Sequence, residues 1–235
     1  MKTDKIIGLL LITGAIGVLL PYMMLTINFD YPEILRQDAG TILTRFQAGG
    51  SVLILTWWAF AILGLPLMIA YIMIGQKFEH KFSFIRWVTA FGVVSGILQI
   101  IGLLRWVFVV PVLAHQYTTA TDDATKAAAS SGFQLIHQFG GVLLGEHLGQ
   151  LFTIVWTVLM SYVFLKLKTF PSWVSWLAIV SSGIYLMAQA ELFSTVIPGF
   201  PVWGMAGFIG STLWLIWLMF LGVLFIRNEY RNPAD

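Results

Sequence analysis

Six apolar runs, each long enough to cross a bilayer, constrain this chain more than any other feature. They cover roughly residues 6–27, 48–74, 85–110, 139–165, 173–191 and 203–226. A helix rises about 1.5 Å per residue, so about 20 apolar residues span a hydrocarbon core about 30 Å thick. Backbone polar groups find no water in that core, and a helix satisfies them internally. The expected fold is therefore all-α, a polytopic membrane protein with six transmembrane helices in a single domain over residues 1–235. Composition agrees, with 58% hydrophobic and only 10% charged residues, against about 25% charged in soluble domains.

An even number of spans puts both termini on one side. The connections on that side carry Lys2, Lys5, Lys77, Lys81, Arg86, Lys166, Lys168, Arg227 and Arg231. The opposite connections carry Arg36, Arg45 and Lys126, with Arg105 inside a span. The positive-inside rule then assigns both termini to the cytoplasm. The charged start and apolar run of the N-terminus resemble a signal peptide, but the run is long, lacks a small-x-small cleavage site and ends in Pro21 and aromatic residues. It is expected to be a retained first span. A net charge of +2 without a run of five basic residues excludes a polyanion-binding arm, so nucleic acid is not an expected partner. The absence of cysteine excludes disulfides, iron-sulfur clusters, thiol catalysis and a lipid-modified cysteine.

Tryptophan marks the helix edges. Trp87, Trp173 and Trp176 fall at inner ends and Trp106 and Trp203 at outer ends, where an amphipathic ring suits the headgroup layer. Trp57, Trp58, Trp156, Trp214 and Trp217 lie deeper and are expected to face other helices, because an indole N–H in hydrocarbon needs an acceptor. The first outer connection, "NFDYPEILRQDAGTILTRF", sets Ile34, Leu35, Ile42, Leu43 and Phe46 among charges, with Pro32 at a first helical turn and Gly40 as a break. A surface-lying amphipathic helix over 32–46 is expected there. The second, "HQYTTATDDATKAAASSG", reads either as a loop or as a helix capped by Thr121 that runs on into the fourth span. "VSGI" at 94–97, "VVP" at 109–111 and "FQ" at 46–47 recur, the first as "SSGI" and the second as "VIP", at an offset of 87. This hints at a parallel duplication of a two-helix unit.

The ionisable residues inside the spans share a height. His147 lies 19 residues from Lys166, Arg105 19 from Arg86, and Glu191 19 from Ser172, which is roughly 28 Å up each helix and close to the outer hydrocarbon edge. Glu146, Gln150, Thr153, Thr157 and Ser161 form one stripe at helical spacing that should face protein. Span three offers Gly92, Ser95, Gly96, Gln99 and Gly102 as a small-residue face for close backbone approach. Span five adds Ser182, Tyr185 and Gln189. The candidate ligand-binding set is thus Arg105, Glu146, His147 and Glu191, with Gln99, Gln150, Tyr185 and Gln189 below, around an outward-facing polar pocket. Buried charge is costly in a membrane and normally pairs, so Arg105 is expected to pair with Glu146 or Glu191. The competing reading has Arg105 snorkelling to the headgroups beside Trp106 and Glu191 lying in water.

Enzyme signatures are mostly missing. Glu146-His147 resembles the end of an H-x-x-E-H zinc motif, but its first position is Leu143. No H-E-x-x-H, G-x-S-x-G or nucleotide-binding loop is present, no pair of core histidines suits haem, and no cofactor is implied. A metal held by His115, His137, Glu146 and His147 is a geometric alternative.

The six-span layout, "NFDYPEILRQDAGTILTRF" and "GEHLGQLFTIVWTVLMS" together resemble an uncharacterised family of bacterial six-helix integral membrane proteins, DUF4386, a domain of unknown function. The likeness extends over nearly the whole chain. It implies a bacterial cytoplasmic-membrane location and a compact six-helix unit, and it carries no catalytic role onto any residue.

The leading expectation is binding or transport of a small solute or proton, without catalysis. Glu146 would be the acceptor or proton-exchanging group, His147 its titratable neighbour and Arg105 the counter-charge or anion contact. A membrane-embedded metal-dependent enzyme or oxidoreductase, and a structural or partner-binding protein docking through 32–46, are the rivals.

Overall fold

Apolar composition and length turn nearly all of the chain into helix. The computed structural model describes residues 2–227, and Arg231 of the charge count lies outside the described residues. Helix α1 runs Lys2–Phe29, α2 Ala39–Ile62, α3 Leu65–Phe78, α4 Ile85–Phe108, α5 Val110–Thr119 and α6 Asp123–Ile136. A π-helical segment, His137–Leu148, leads into α7 Gly149–Leu167, followed by α8 Ser172–Met187, α9 Gln189–Ser194 and α10 Ala206–Arg227. No strand occurs among the described residues. By length and composition, six helices can cross a membrane: Lys2–Phe29, Ala39–Phe78, Ile85–Thr119, Asp123–Leu167, Ser172–Ser194 and Ala206–Arg227. The chain is a multi-pass membrane protein.

Several of these helices outrun the bilayer. The 45 residues of Asp123–Leu167 measure about 68 Å at an α-helical rise, more than twice the hydrocarbon thickness. Both outer connections are therefore largely helical extensions of spans. In the second, the helical alternative holds, but Asp122 rather than Thr121 is the cap, its carboxylate accepting the Thr125 amide at 2.8 Å.

In the first, the surface-lying helix over 32–46 does not form. Glu33–Arg36 is a short 3-10 turn, and α2 starts at Ala39 behind the Asp38 cap, whose carboxylate accepts the Thr41 amide at 2.9 Å. Ile34, Leu35, Ile42, Leu43 and Phe46 are all buried in protein. Gly40 does not break the helix. The kink comes ten residues later at Gly50, where φ is +54° and a side chain would be strained.

Hydrogen bonds from the Thr41 hydroxyl and then its amide hold the Asp38 carboxyl below its ordinary 3.8. Because the folded value is the lower one, the cap's contribution is complete above the unfolded value and disappears as pH falls through the folded one. Amide exchange at Thr41 is expected to stay slow at neutral pH and to accelerate in strong acid. The Asp38→Ala variant should exchange quickly at both.

The helices cluster into two units. The first comprises residues 1–15, 65–97 and 147–235, the second 16–64 and 98–146. Neither coincides with the two-span repeat hinted at by the 87-residue offset. In the first unit, α8 packs against α7 and α10. Glycines allow close approaches here: a Cβ on Gly8 would stand 2.4 Å from the Gly222 carbonyl, and one on Gly210 2.6 Å from the Tyr185 Cα. Tyr71 and Trp156 pack at 3.9 Å between centroids, over the Cβ-less Gly92. Asp4 is buried in an ion pair with Lys77 at 2.8 Å.

The second unit packs α2 against α5 and α6 around an aromatic cluster. Trp57 and Trp106 stack at 4.7 Å and 10°. Phe29 meets both edge-on, and Phe46 and Phe133 flank Trp106. Such pairs contribute about 0.5–1.5 kcal/mol each beyond their buried area. Trp106 is fully buried, not a headgroup residue as its position at a span end predicts. Trp58, expected to face helices, is largely exposed. Trp214 donates to the Thr157 hydroxyl at 3.0 Å, whereas the indole N–H groups of the fully buried Trp57, Trp156 and Trp217 find no acceptor among the described residues.

Candidate functional site

The predicted site residues divide between the two units. Gln99, Arg105 and Glu146 belong to the second, and His147, Gln150, Tyr185, Gln189 and Glu191 to the first. Two polar arrangements result.

In the first unit, His147 and the glutamines form a chain. The His147 Nδ1 lies 2.6 Å from the Gln189 Oε1, and the Gln189 Nε2 donates to the Gln150 Oε1 at 2.8 Å. Nδ1 is thus the donor, and the ring is held edge-on to Phe193. Below, Ser95 bonds the Gly149 carbonyl at 2.9 Å and the Thr153 hydroxyl at 2.6 Å. Thr153, Thr157 and Ser161 are buried, so this part of the stripe faces protein as expected. Hydroxyl and amide bonds of this kind knit membrane helices together. Tyr185 supplies the backbone against which Gly210 packs, and Glu191 lies half-buried on α9, within the helical run Ser172–Ser194 that forms the fifth span.

The second unit carries the charge. Arg105 is buried, with 7% of its surface exposed, which removes the snorkelling alternative. Its guanidinium lies against the glycine face of the π-helical segment: a Cβ on Gly141 would come within 2.4 Å of Nη2. Gly102 on α4 makes a matching approach, its Cβ position 2.8 Å from the Gly145 Cα and 2.9 Å from the Gly140 carbonyl. These glycines leave a trough that the Arg105 guanidinium occupies. The wide helical turn over His137–Leu148 is itself unusual, since π-helical runs are short and concentrate at functional sites.

Five N–H donors have to be satisfied on a guanidinium. Arg105 donates from Nη1 to the Gly102 carbonyl and from Nη2 toward the His137 Nδ1 at 3.5 Å, and its cation sits 5.2 Å from the Trp106 ring centroid. The imidazole of His137 is stacked on Phe133. The Arg105 Nε–H has no acceptor among the described residues. Neither expected carboxylate forms an ion pair with Arg105 among the described residues. Glu146 instead pairs with Arg36 at 3.5 Å and acts on Arg105 only through its field. Arg36 and His137 are the functional candidates that sequence reasoning left out of the binding set. No local pattern marks Arg36, because its partner is 110 positions away.

A surface recess of about 510 Å³ also opens in this unit, lined by Thr26, Asp30, Glu33, Ile34, Gln37, Thr41 and Arg45. None of the predicted site residues lines it. Among the described residues no three His, Asp or Glu side chains converge as metal ligands, so the quartet of His115, His137, Glu146 and His147 does not form.

The model of the family described as "Domain of unknown function (DUF4386)" matches residues 6–222, nearly the entire chain. The chain belongs to the DUF4386 family. No curated protein and no solved structure matches it. The DUF4386 match includes both polar arrangements, from Arg36 to Glu191, and attaches no activity to either.

Proposed function

We propose that this protein binds a small anionic solute at Arg36, Arg105 and His137, in the cytoplasmic membrane of a bacterium and with both termini in the cytoplasm. The observation that carries the binding proposal is the buried Arg105 guanidinium, which has an unpartnered Nε–H and no carboxylate in direct contact among the described residues. Burying a charge without a partner costs several kcal/mol. An anion of the ligand supplies what the fold leaves out, and donors held in a water-poor site interact with it more strongly than they would in water. Of the roles expected from sequence, this favours Arg105 as the anion contact over Glu146 as a cation or proton acceptor. The arrangement of His147, Gln150 and Gln189 supports a structural hydrogen-bond chain.

Calorimetric titration of the detergent-purified protein tests the proposal. Sodium acetate or inorganic phosphate is expected to release or absorb heat with a saturable isotherm, and choline chloride matched for ionic strength is not. Saturable binding of choline with none of either anion would reverse the sign of the site and overturn the reading.

The basic residues at Lys2, Lys5, Lys77, Lys81, Arg86, Lys166, Lys168 and Arg227 support the orientation. Because the chain has no cysteine, single introduced ones report sidedness cleanly. Lys168→Cys in intact cells is expected to resist a membrane-impermeant maleimide and Asp123→Cys to react with it. The opposite pattern would invert the topology.

A further inference from the structure

We propose that Glu146 is a built-in stand-in for the ligand: a small free monocarboxylate takes its place beside Arg36 and Arg105, and the Arg36–Glu146 pair is the closure it displaces. This rests on the anion-binding reading and narrows its ligand to one class. The Glu146 carboxylate lies 3.5 Å from the Arg36 Nη2, and its field reaches the buried Arg105. That separation exceeds the roughly 2.7–2.9 Å of a strong charge-assisted bond, and it is the one ion pair Glu146 makes among the described residues. Its side chain is 21% exposed and that of Arg36 33%, so both can turn outward to water when the pair opens, whereas Arg105 cannot. Gly145 and Gly141 place no side chain beside this position. The position therefore has a loose, partly exposed internal occupant and, within reach of its field, a fixed cation with a spare donor.

Exchange of one carboxylate for another keeps the charge and the planar acceptor geometry unchanged. A free carboxylate can also approach the Arg105 Nε–H, which the tethered Glu146 does not bond. Phosphate would bring a tetrahedral shape and a second charge to the place that a planar, singly charged carboxylate holds beside Arg36. Glu146 thus acts as a competitor covalently attached to the protein.

The experiment is calorimetric titration of sodium acetate and of inorganic phosphate into the full-length wild type, Glu146→Gln and Glu146→Ala, with melting temperature checked for each. Both variants are expected to bind acetate at least tenfold more tightly than the wild type, and acetate is expected to bind at least tenfold more tightly than phosphate in both. Wild-type acetate binding with weaker or unaltered affinity in the variants overturns the stand-in role alone. Tighter phosphate than acetate binding overturns the ligand class. No saturable anion binding by any of the three proteins overturns this inference together with the site beneath it.

Discussion

Replacing Arg105 with Met is expected to weaken anion binding by one to two orders of magnitude while leaving the ligand-free protein as stable as the wild type or more so. Hydrogen bonds to a charged group contribute about 1.5–3 kcal/mol, so losing this guanidinium should weaken acetate about 10- to 150-fold. Stability should move the other way. Arg105 is buried with an unsatisfied Nε–H and without an ion pair among the described residues, and exchange of a buried charge for a packed apolar side chain is often neutral or stabilising by about 1–4 kcal/mol. Methionine is unbranched and fills irregular space, and Glu146 keeps its Arg36 partner. Titration and thermal unfolding on the same preparation separate the two effects. A variant that loses both binding and stability would make Arg105 a structural residue.

The second large effect is expected at Gly102. A methyl group there meets backbone, the Gly145 Cα at 2.8 Å and the Gly140 carbonyl at 2.9 Å, and backbone cannot rotate out of the way as a side-chain tip can. Overpacking of this kind typically costs about 1–3 kcal/mol. Gly102→Ala should therefore lower the melting temperature by several degrees, at about 2–4 °C per kcal/mol for a chain of this size. The control is Gly183, exposed on α8, where an added Cβ would meet nothing within 4 Å. Gly183→Ala should be neutral or stabilising by about 0.5–1 kcal/mol from helix propensity. Equal effects at the two positions would mean that the α4 contact with the glycine-rich segment is not tightly packed.

The spans were legible because hydropathy and length report directly on the bilayer, although the second, third and fourth run on as helix beyond their outer ends, to Ala39, Thr119 and Asp123. The outer connections were less so. The apolar residues Ile34, Leu35, Ile42, Leu43 and Phe46 describe an amphipathic face, and an amphipathic face looks the same whether it meets lipid or protein. Here it meets the aromatic cluster around Trp57 and Trp106. Arg105 stood out as a charge inside a span, but its surroundings did not, because Arg36 reaches Glu146 from a distant connection.

The common height expected of Arg105, Glu146, His147 and Glu191 presupposes one helical period throughout. That period holds along α7, where Thr153, Thr157 and Ser161 are buried together. It fails over His137–Leu148, where the π-helical turn winds more residues per turn, and Glu146 pairs with Arg36. The "GG" at 140–141 and the glycine at 145 were visible in the sequence. Their use as a trough for a guanidinium depends on Gly102 and Arg105 meeting them from α4.

The most direct measurement of the anion site is an anomalous difference map at the bromine edge from crystals of the protein soaked in bromoacetate. The expected result is a bromine peak within about 6 Å of the Arg105 guanidinium, the carboxylate between Arg105 and Arg36 in hydrogen-bonding range. A map with no peak at that cluster under saturating bromoacetate, and with Arg105 packed unchanged against Gly141, would contradict the account.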